Sequence, residues 1–495
     1  MSNQKLRGLV VLLICGLWAR TTVSAARDQP VSSRLVLQPC QLEHVGGEAR
    51  CGTYEVFEDR AAHSGRTIKL HVVVLKALGP AAASDPVFWL HGGPGAAATD
   101  MVEAAQVGLL GVARHDHDLV FVDQRGTGAS NPLKCDLGDD PRDLQAFFGE
   151  MFPRDKVREC REKLEKIANL KLYTTPIAMD DLDEVRAALG YKKINLLGAS
   201  YGSIAAEVYL RQHPEHVRSA FLIGVATPEI KQPLLFPRSA QHAMDLLFED
   251  CAVDELCRKT FPGLEQEFSR VLDRFGNGPV LMELVNPFTG KTEKVRVPRS
   301  SFVERLRLTM YNTGSQRLVP IIIHRAFLND YLPWEEAALV SGPGSRVARG
   351  MYLTVTCSEG VAFITAQDLA NETRGTYVGE ARVKLHMEAC KEWPKGDIPK
   401  SYIEPVKSDL PVLMISGEAD GSSPPWYGEK AVKFLSHGRQ IKIRYYGHQM
   451  DGPCVQHIFQ QFLAAGSNQG LDTSCTETIH RPPFATEMPP PFALK

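Results

Sequence analysis

The 495-residue sequence predicts an α/β protein with a mostly parallel sheet, flanking helices and an inserted block of helices. Short apolar runs that end at glycine-rich loops alternate with helical patterns between residues 67 and 223. This alternation is typical of parallel strands joined by right-handed crossovers. From about residue 227 to residue 409 the periodic segments are mostly helical, and the strand pattern then returns. One sheet domain interrupted by a helical lid explains both observations.

The first residues have the pattern of a secretory signal peptide. Lys5 and Arg7 precede an apolar run from Gly8 to Ala19, and Val23-Ser24-Ala25 offers small residues for cleavage. The apolar run is much shorter than the roughly twenty residues of a membrane-spanning helix. We therefore expect residues 1–25 to be removed. The mature protein is predicted to be secreted or periplasmic, with no stable membrane anchor.

The charge pattern argues against nucleic acid as a partner. The chain has 56 Lys and Arg against 58 Asp and Glu, and its formal net charge is −2. Removal of residues 1–25 takes away Lys5, Arg7 and Arg20 and no acid, which makes the mature chain more acidic. The sequence contains no sustained basic stripe. It gives no indication of the oligomeric state.

The cysteines indicate disulfide bonds. Of 11 cysteines, Cys15 lies in the predicted signal peptide, and the even number that remains is expected to be oxidised in an exported protein. No Cys–His cluster has the spacing of a zinc site. The sequence leaves the connectivity open, but pairing of neighbours is the simplest hypothesis because each loop then closes locally. These neighbours are Cys40 and Cys51, Cys135 and Cys160, Cys251 and Cys257, Cys357 and Cys390, and Cys454 and Cys475.

The elements follow from the apolar patterns, after a segment at residues 26–39 that is predicted to be disordered. Strands are predicted at residues 67–76, 86–90, 117–123, 193–197, 217–223, 411–416 and 440–446. Helices are predicted at residues 180–190, 201–213, 302–311, 318–332 and about 455–463.

A GxSxG pattern lies between a predicted strand and a predicted helix. Gly198-Ala199-Ser200-Tyr201-Gly202 follows the strand at residues 193–197, and the helix begins at Tyr201. Strand, turn and helix in this order form the nucleophile elbow of the α/β-hydrolase fold, in which the residues two before and two after the serine must be small. This context predicts Ser200 as a nucleophile on an α/β-hydrolase fold.

The same fold places an acid and then a histidine on loops after late strands. Asp420 and His448 each follow such a strand, and we predict that they are the acid and the base of a catalytic triad. Glu418, on the same loop as Asp420, and Asp451 are the alternative acids.

Two backbone N–H groups are expected to form an oxyanion hole. One belongs to Tyr201, the residue after the nucleophile. The other should come from the glycine-rich loop after the strand at residues 86–90, where the backbone can approach the substrate. Gly93 is favoured over Gly92 for this second donor.

Four motifs, in this order and context, resemble the prolyl iminopeptidase and tripeptidyl aminopeptidase family. They are His91–Gly95 (HGGPG), Asp123–Gly128 (DQRGTG), Gly198–Gly202 (GASYG) and Gly417–Asp420 (GEAD). The cysteine pattern and the segments Cys357-Ser358-Glu359 and Cys390–Pro394 are similar to the secreted bacterial tripeptidyl aminopeptidase branch. The sequence departs from the family pattern in three places. Ile223 stands where an acid is frequent, Ser423 where threonine is usual, and Gln449-Met450 where small residues usually follow the histidine.

The resemblance implies a serine triad of Ser200, Asp420 and His448, and release of amino acids or short peptides from peptide amino termini without a metal or cofactor. An enzyme that recognises a free amino terminus needs a carboxylate partner for the ammonium group. Glu359, in a segment that matches the family, is predicted to be this partner.

The alternative enzymatic function is hydrolysis of small carboxylic esters by the same triad, so a peptide or a small ester is the expected substrate. A non-catalytic binding protein on a hydrolase fold is a third hypothesis, against which the presence of all three triad residues argues. The predicted organisation is a signal peptide (residues 1–25), a hydrolase core (26–230 and 406–495, the latter with a C-terminal tail) and a helical lid (231–405).

Overall fold

The computed structural model describes residues 35–80, 83–341 and 347–488. The predicted signal peptide, residues 1–25, lies outside the described residues. Within the described ranges, no helix combines the length and the apolar character needed to cross a membrane.

A nine-stranded sheet forms the centre of the molecule. In chain order the strands are β1 (Leu35–Pro39), β2 (Ala49–Phe57), β3 (Thr67–Leu75), β4 (Val87–Leu90), β5 (Leu119–Val122), β6 (Ile194–Ala199), β7 (Val217–Ile223), β8 (Val280–Val285), β9 (Thr292–Val297), β10 (Val412–Gly417) and β11 (Gly438–Ile443). The sheet order is β1-β2-β3-β5-β4-β6-β7-β10-β11, while β8 and β9 form a separate antiparallel hairpin. From β5 to β11 across the sheet every pairing is parallel, whereas β1, β2 and β3 are antiparallel to their neighbours. The predicted fold class, a mostly parallel α/β sheet, is confirmed.

Consecutive residues of the central strands are buried on opposite faces of the sheet. Phe88 and Leu196 pack in the core on one face, and their chain neighbours Trp89 and Leu197 pack in the core on the other. A strand that is buried on both faces has no polar side, which explains the continuous apolar runs of the sequence.

Helices cover both faces of this sheet. In chain order the α-helices are α1 (Gly108–Asp116), α2 (Leu144–Phe147), α3 (Arg154–Leu164), α4 (Thr175–Ala188), α5 (Tyr201–Gln212), α6 (Phe236–Val253), α7 (Glu255–Thr260), α8 (Leu264–Asp273), α9 (Arg299–Thr309), α10 (Thr313–Gln316), α11 (Val319–Phe327), α12 (Leu332–Ser341), α13 (Arg349–Val355), α14 (Ala366–Thr373), α15 (Ala381–Glu392), α16 (Trp426–Ala431) and α17 (Pro453–Ala465). Helices α3, α4 and α5 contribute to the core that contains Phe88, and α1 and α17 to the core that contains Trp89.

Helices α6 to α9, α11 and α12 and the β8–β9 hairpin have a core of their own. It contains Met244, Phe268, Phe302, Ile322 and Trp334. Helices α13 and α15, although they follow α12 in the chain, pack instead in the core of the sheet that contains Phe88. The stretch between β7 and β10 is therefore divided between two hydrophobic cores.

Strand β1, at one edge of the sheet, was not predicted from the sequence. Residues 35–39, predicted to be disordered, form β1 and pair in antiparallel fashion with β2. The strand is short, with only three apolar residues (Leu35-Val36-Leu37), and no residue of it is fully buried, so its sequence carries only a weak strand signal. Gly52 on β2 makes the pairing possible, because a Cβ atom there would overlap the backbone of Val36.

Five disulfide bonds join neighbouring cysteines, so the expected disulfides are present with the simplest pairing. The bonds are Cys40–Cys51, Cys135–Cys160, Cys251–Cys257, Cys357–Cys390 and Cys454–Cys475.

Candidate active site

Ser200 occupies the sharp turn between β6 and α5. Its backbone has φ 58° and ψ −124°, a conformation that costs free energy for a residue with a side chain. The turn is held from both sides. The N–H of Ser200 donates to the carbonyl oxygen of Ile223 on β7 at 3.0 Å, and the Ser203 hydroxyl donates to the carbonyl oxygen of Ser200 at 2.5 Å.

The two glycines of the GxSxG pattern are required by close backbone contacts. A Cβ atom on Gly198 would lie 2.5 Å from the carbonyl oxygen of Gly202, and one on Gly202 would overlap the carbonyl oxygen of Leu90 at the end of β4. Both positions therefore exclude larger residues, as a nucleophile elbow requires.

The structure brings Asp420 and His448 together. The Nδ1 atom of His448 lies 2.8 Å from Oδ2 of Asp420, and the Asp420 carboxyl is fully buried. Its other oxygen accepts from the backbone N–H groups of Ser422 at 2.7 Å and Ser423 at 3.0 Å. Burial alone would raise the pKa of Asp420, but the charge and hydrogen bond of His448 and the two backbone N–H groups outweigh burial, so the pKa is lowered. The carboxylate is thus kept ionised beneath the imidazole.

Neither of the alternative acids is hydrogen-bonded to His448. Glu418 is two residues closer to the end of β10 and only partly buried. Asp451 is exposed, and its Oδ1 atom accepts a hydrogen bond from Nε2 of Gln456 at 2.8 Å. The geometry therefore favours Asp420 as the partner of His448.

The loop that carries His448 is held by contacts with the segment just after α9. The sequence did not predict these contacts. The backbone N–H groups of His448 and Gln449 both donate to the carbonyl oxygen of Tyr311, at 2.7 and 3.1 Å. The Tyr311 ring also lies 4.8 Å from the imidazole, centre to centre. The N–H of Gly447 donates a hydrogen bond to the Thr313 hydroxyl at 3.0 Å. Backbone contacts of this kind have no signature in a sequence.

The glycine-rich loop after β4 faces the nucleophile. A Cβ atom on Gly92 would lie 3.1 Å from Cβ of Ser200. The N–H of Gly92 is bonded to Nδ1 of its neighbour His91 at 2.8 Å, so it is not aimed at a substrate. This bond favours Gly93, with φ +117°, as the donor from this loop. The second predicted donor, the N–H of Tyr201, begins α5 directly after Ser200.

A single cavity of about 730 Å³ contains Ser200, His448, Gly92 and Gly93 on its wall. The cavity is lined by residues at the ends of β4, β6 and β7, by residues between 300 and 311, and by residues between 347 and 385. The side chain of Ile223, where the resembling family frequently has an acid, also lines this cavity.

Glu359 lies outside this cavity. Its buried carboxyl accepts hydrogen bonds from the backbone N–H and the hydroxyl of Thr175, each at 2.6 Å, and from the Tyr402 hydroxyl at 2.5 Å. It lines a separate cavity of about 20 Å³, just large enough for a water molecule. The prediction that Glu359 binds a substrate amine does not fit this position, because its oxygens are used inside the protein. Through Thr175, which bonds the Tyr201 hydroxyl at 2.6 Å, Glu359 instead supports the residue after the nucleophile.

Among the residues that the structure describes, one group of side chains has ligand atoms close enough for a metal ion: Asp183, His213 and His216. The Asp183 carboxylate already accepts hydrogen bonds from Arg186 at 2.7 Å and from Tyr209 at 2.7 Å. The adjacent guanidinium opposes a second cation, and none of these residues lines the large cavity. We assign no metal site to this group.

Comparisons with known proteins agree with this architecture. The sequence profile of the alpha/beta hydrolase fold matches residues 85–450. The tripeptidyl aminopeptidase of Streptomyces coelicolor is 30% identical over 196 residues, which are 36% of this chain and 35% of that protein. The serine protease Hip1 of Mycobacterium tuberculosis is 29% identical over 241 residues, 44% of this chain and 45% of that protein. The proline iminopeptidase of Neisseria gonorrhoeae is 30% identical over 140 residues, 28% of this chain and 32% of that protein. The chain thus spans between about 32% and 45% of the length of these relatives.

Proposed function

The chain belongs to the α/β hydrolase fold family, and we propose that it is a serine hydrolase that releases amino acids or short peptides from the amino termini of peptides. The observation that carries the proposal is one cavity that contains Ser200 at a strained turn and His448 bonded to a buried carboxylate. The peptidase names of the relatives support peptides over esters as substrates. The disulfide bonds support an exported, oxidising location.

In the proposed acylation step, Ser200 Oγ attacks the carbonyl carbon of the scissile bond while His448 takes the hydroxyl proton. Asp420 accepts the Nδ1–H of the ring, which selects the tautomer whose Nε2 is free to act as the base. The N–H groups of Tyr201 and Gly93 donate to the developing oxyanion. His448 then gives its proton to the leaving amine as the C–N bond breaks.

In the proposed deacylation step, water replaces the departed amine. His448 removes a proton from the water, whose oxygen attacks the ester carbonyl of the acyl-enzyme. The same two N–H groups stabilise the second oxyanion. Ser200 leaves with the proton, and the amino-terminal fragment departs as a carboxylate. The reaction proposed here needs no metal or cofactor.

An exopeptidase of this kind must bind a free ammonium group. Of the acids that line the cavity, Glu304 and Asp139 are already bonded to arginines. Asp100, Glu150 and Asp451 also line it and are exposed. We assign the amine to one of these three carboxylates, because an ammonium group gains most from an acid that has no cation beside it.

The proposal is tested with matched arylamides and esters. Peptidyl arylamides with a free amino terminus, their N-acetyl counterparts and p-nitrophenyl esters are compared, with Ser200→Ala as the control variant. We expect the free-amine arylamides to be cleaved at least about ten-fold more efficiently than the acetylated ones, a factor within reach of one paired charge. Ser200→Ala should abolish turnover and labelling by a fluorophosphonate probe.

Each of the other outcomes contradicts part of the proposal. Equal cleavage of free and acetylated peptides would indicate an endopeptidase, and cleavage of esters alone would indicate a carboxylic ester hydrolase. Full activity of Ser200→Ala would show that Ser200 is not the nucleophile. If Glu359→Gln raised KM for free-amine substrates and not for the others, Glu359 would be the residue that binds the amine.

A further inference from the structure

Four buried arginines line the large cavity, and only three of them are bonded to a carboxylate. Arg307 and Arg382 both bond to Glu304, and Arg349 bonds to Asp139. The fourth, Arg305, has no carboxylate within ion-pair distance among the described residues. These arginines are between 1% and 8% exposed, so water does little to compensate their charge. These four arginines therefore carry more positive charge than the two carboxylates bonded to them, Glu304 and Asp139, neutralise.

Arg305 is held in place without a counter-charge. Its Nη2 atom donates to the carbonyl oxygen of Phe147 at 2.7 Å, and its guanidinium lies 4.0 Å from the centre of the Phe147 ring. Its Nη1 atom is buried and has no hydrogen-bond partner in the described part of the chain. Burial lowers the pKa of Arg305 to about 10, although the charges of Asp139 and Glu304 oppose this effect. The side chain is thus a fixed cation with unused hydrogen-bond donors.

We propose that Arg305 binds a carboxylate group of the substrate. A guanidinium offers two parallel N–H donors in the spacing of a carboxylate, and the pair is strong when water is excluded. Unlike Arg307, Arg382 and Arg349, Arg305 gains its missing counter-ion when an anionic ligand enters. The stack on Phe147 fixes the plane of the guanidinium before the ligand arrives, which lowers the entropy cost of binding.

This inference rests on the proposed function for the identity of the substrate, and it deepens that function. A peptide can present a carboxylate in two ways, as its free carboxyl terminus or as an acidic side chain. If Arg305 binds the carboxyl terminus, the enzyme is selective for short peptides, whose carboxyl terminus can reach this arginine. If Arg305 binds an acidic side chain, the enzyme is selective for peptides with Asp or Glu at one position.

The experiment uses substrate pairs that differ only in the carboxylate. Mono-p-nitrophenyl glutarate is compared with p-nitrophenyl valerate, a free-acid tripeptide with its amide, and peptide amides that contain Asp with those that contain Asn. Arg305→Met keeps the stem of the side chain, Arg305→Lys keeps its charge, and Arg270→Met is the matched control. Arg270 is an exposed arginine beside the ring of Phe327 and does not line the cavity.

We expect the charged member of at least one pair to be favoured in kcat/KM by about ten-fold or more. Arg305→Met should bring this ratio close to one, mainly through KM, and leave the uncharged substrate within about three-fold of the wild type. Arg305→Lys should give an intermediate ratio, and Arg270→Met should keep that of the wild type. The peptide pairs then tell a carboxyl terminus from an acidic side chain.

Two results would overturn the proposal. One is a wild-type preference of less than about two-fold in every pair, which can be read even if Arg305→Met does not fold. The other is an Arg305→Met protein that folds and keeps the preference, in which case Arg305 only packs on Phe147. The ester pair separates this failure from failure of the peptidase function. If Ser200 hydrolyses both esters but no peptide, the peptidase function is wrong, and the ester ratio still tests Arg305.

Discussion

The Asp420 carboxylate accepts hydrogen bonds from His448, two backbone N–H groups and the Ser423 hydroxyl. An amide in its place would present a donor to the imidazole and favour the wrong tautomer. We expect Asp420→Asn to lower kcat by about 10⁴-fold, as loss of the orienting acid does in serine proteases.

Glu418→Gln is the matched control for this variant, since it makes the same chemical change on the same loop. It should stay within about three-fold of the wild type, because Glu418 does not contact His448. Both variants are measured with an activated ester. A larger loss in Glu418→Gln than in Asp420→Asn would show that the acid has been misassigned.

Glu359 gives the stability of the protein a dependence on pH. Burial raises the pKa of its carboxyl from 4.5 to about 7, and its hydrogen bonds with Thr175 and Tyr402 only partly offset burial. Because the folded protein holds this proton more tightly than the unfolded chain, the resulting stabilisation is present below pH 4.5 and is lost as pH rises through 7. The full difference corresponds to about 3 kcal/mol.

Glu359→Gln cannot titrate, so it should lose less stability than the wild type between about pH 5 and pH 8. Gln also places an amide against donors of Thr175, which costs stability at every pH and leaves the sign of the pH dependence unchanged. Melting temperatures of both proteins at the two pH values provide the measurement. Parallel curves for the two proteins would mean that Glu359 has an ordinary pKa.

At the scale of elements, the segment between α9 and α10 joins the inserted helices to the catalytic loop. The Tyr311 ring packs on the His448 imidazole, and its hydroxyl accepts from Arg307 at 2.9 Å. Tyr311→Ala removes the ring and should lower kcat by about ten-fold, through a less well positioned base. Tyr311→Phe keeps the ring and should remain within about three-fold. Equal activity of all three proteins would show that the ring does not position His448.

The elements that the sequence predicted well are those with an unambiguous pattern. Strands β4 to β7 are apolar on both faces, and glycine-rich loops mark their ends. The predicted helix at residues 318–332 is too long: α11 ends at Phe327, Asn329 takes a left-handed conformation with φ 65°, and a new helix, α12, begins at Leu332. Phe327-Leu328 before the break and Tyr331-Leu332 after it are apolar, so the apolar pattern of the sequence continued across the break. The hairpin β8–β9 was missed because it lies in a stretch where the surrounding pattern is helical.

The part of the site that could be predicted from the sequence is the part that lies at the ends of strands. Ser200, Asp420 and His448 lie at or shortly after the carboxyl ends of parallel strands of one sheet, so they are expected to meet at the same edge of that sheet. Glu359 could not be placed from the sequence, because the sequence does not show whether an acid in a helical segment is exposed or buried, nor which groups it bonds to. Arg305 was missed because an arginine on a helix is usually exposed, and its burial against Phe147 depends on contacts between distant segments.

At the scale of the whole molecule, the disulfide bonds fix the outer segments to the core. Cys454–Cys475 closes a separation of 21 residues and begins in the first turn of α17, just after the His448 loop. Cys40–Cys51 closes a separation of 11 residues at the far edge of the sheet. In the chain-entropy model the two bonds stabilise the fold to a similar extent, about 3 kcal/mol each.

Replacing either pair with serine should therefore lower the free energy of unfolding by about 3 kcal/mol. Only Cys454→Ser with Cys475→Ser should also lower kcat, because only that bond holds the segment next to His448. Denaturant unfolding and ester hydrolysis of the two double variants provide the comparison. Equal kcat values for the two would mean that α17 does not restrain the base.

The anchor of the base is made of main-chain atoms. The N–H groups of His448 and Gln449 donate to a carbonyl group that every residue at position 311 possesses. Side-chain scanning will therefore underestimate this contact, and natural selection can vary the cavity-facing side chains of α9 without weakening it. The anchor depends on chain length and not on side-chain identity. A single glycine inserted between Tyr311 and Asn312 would shift the carbonyl group and should reduce activity more than any substitution at position 311.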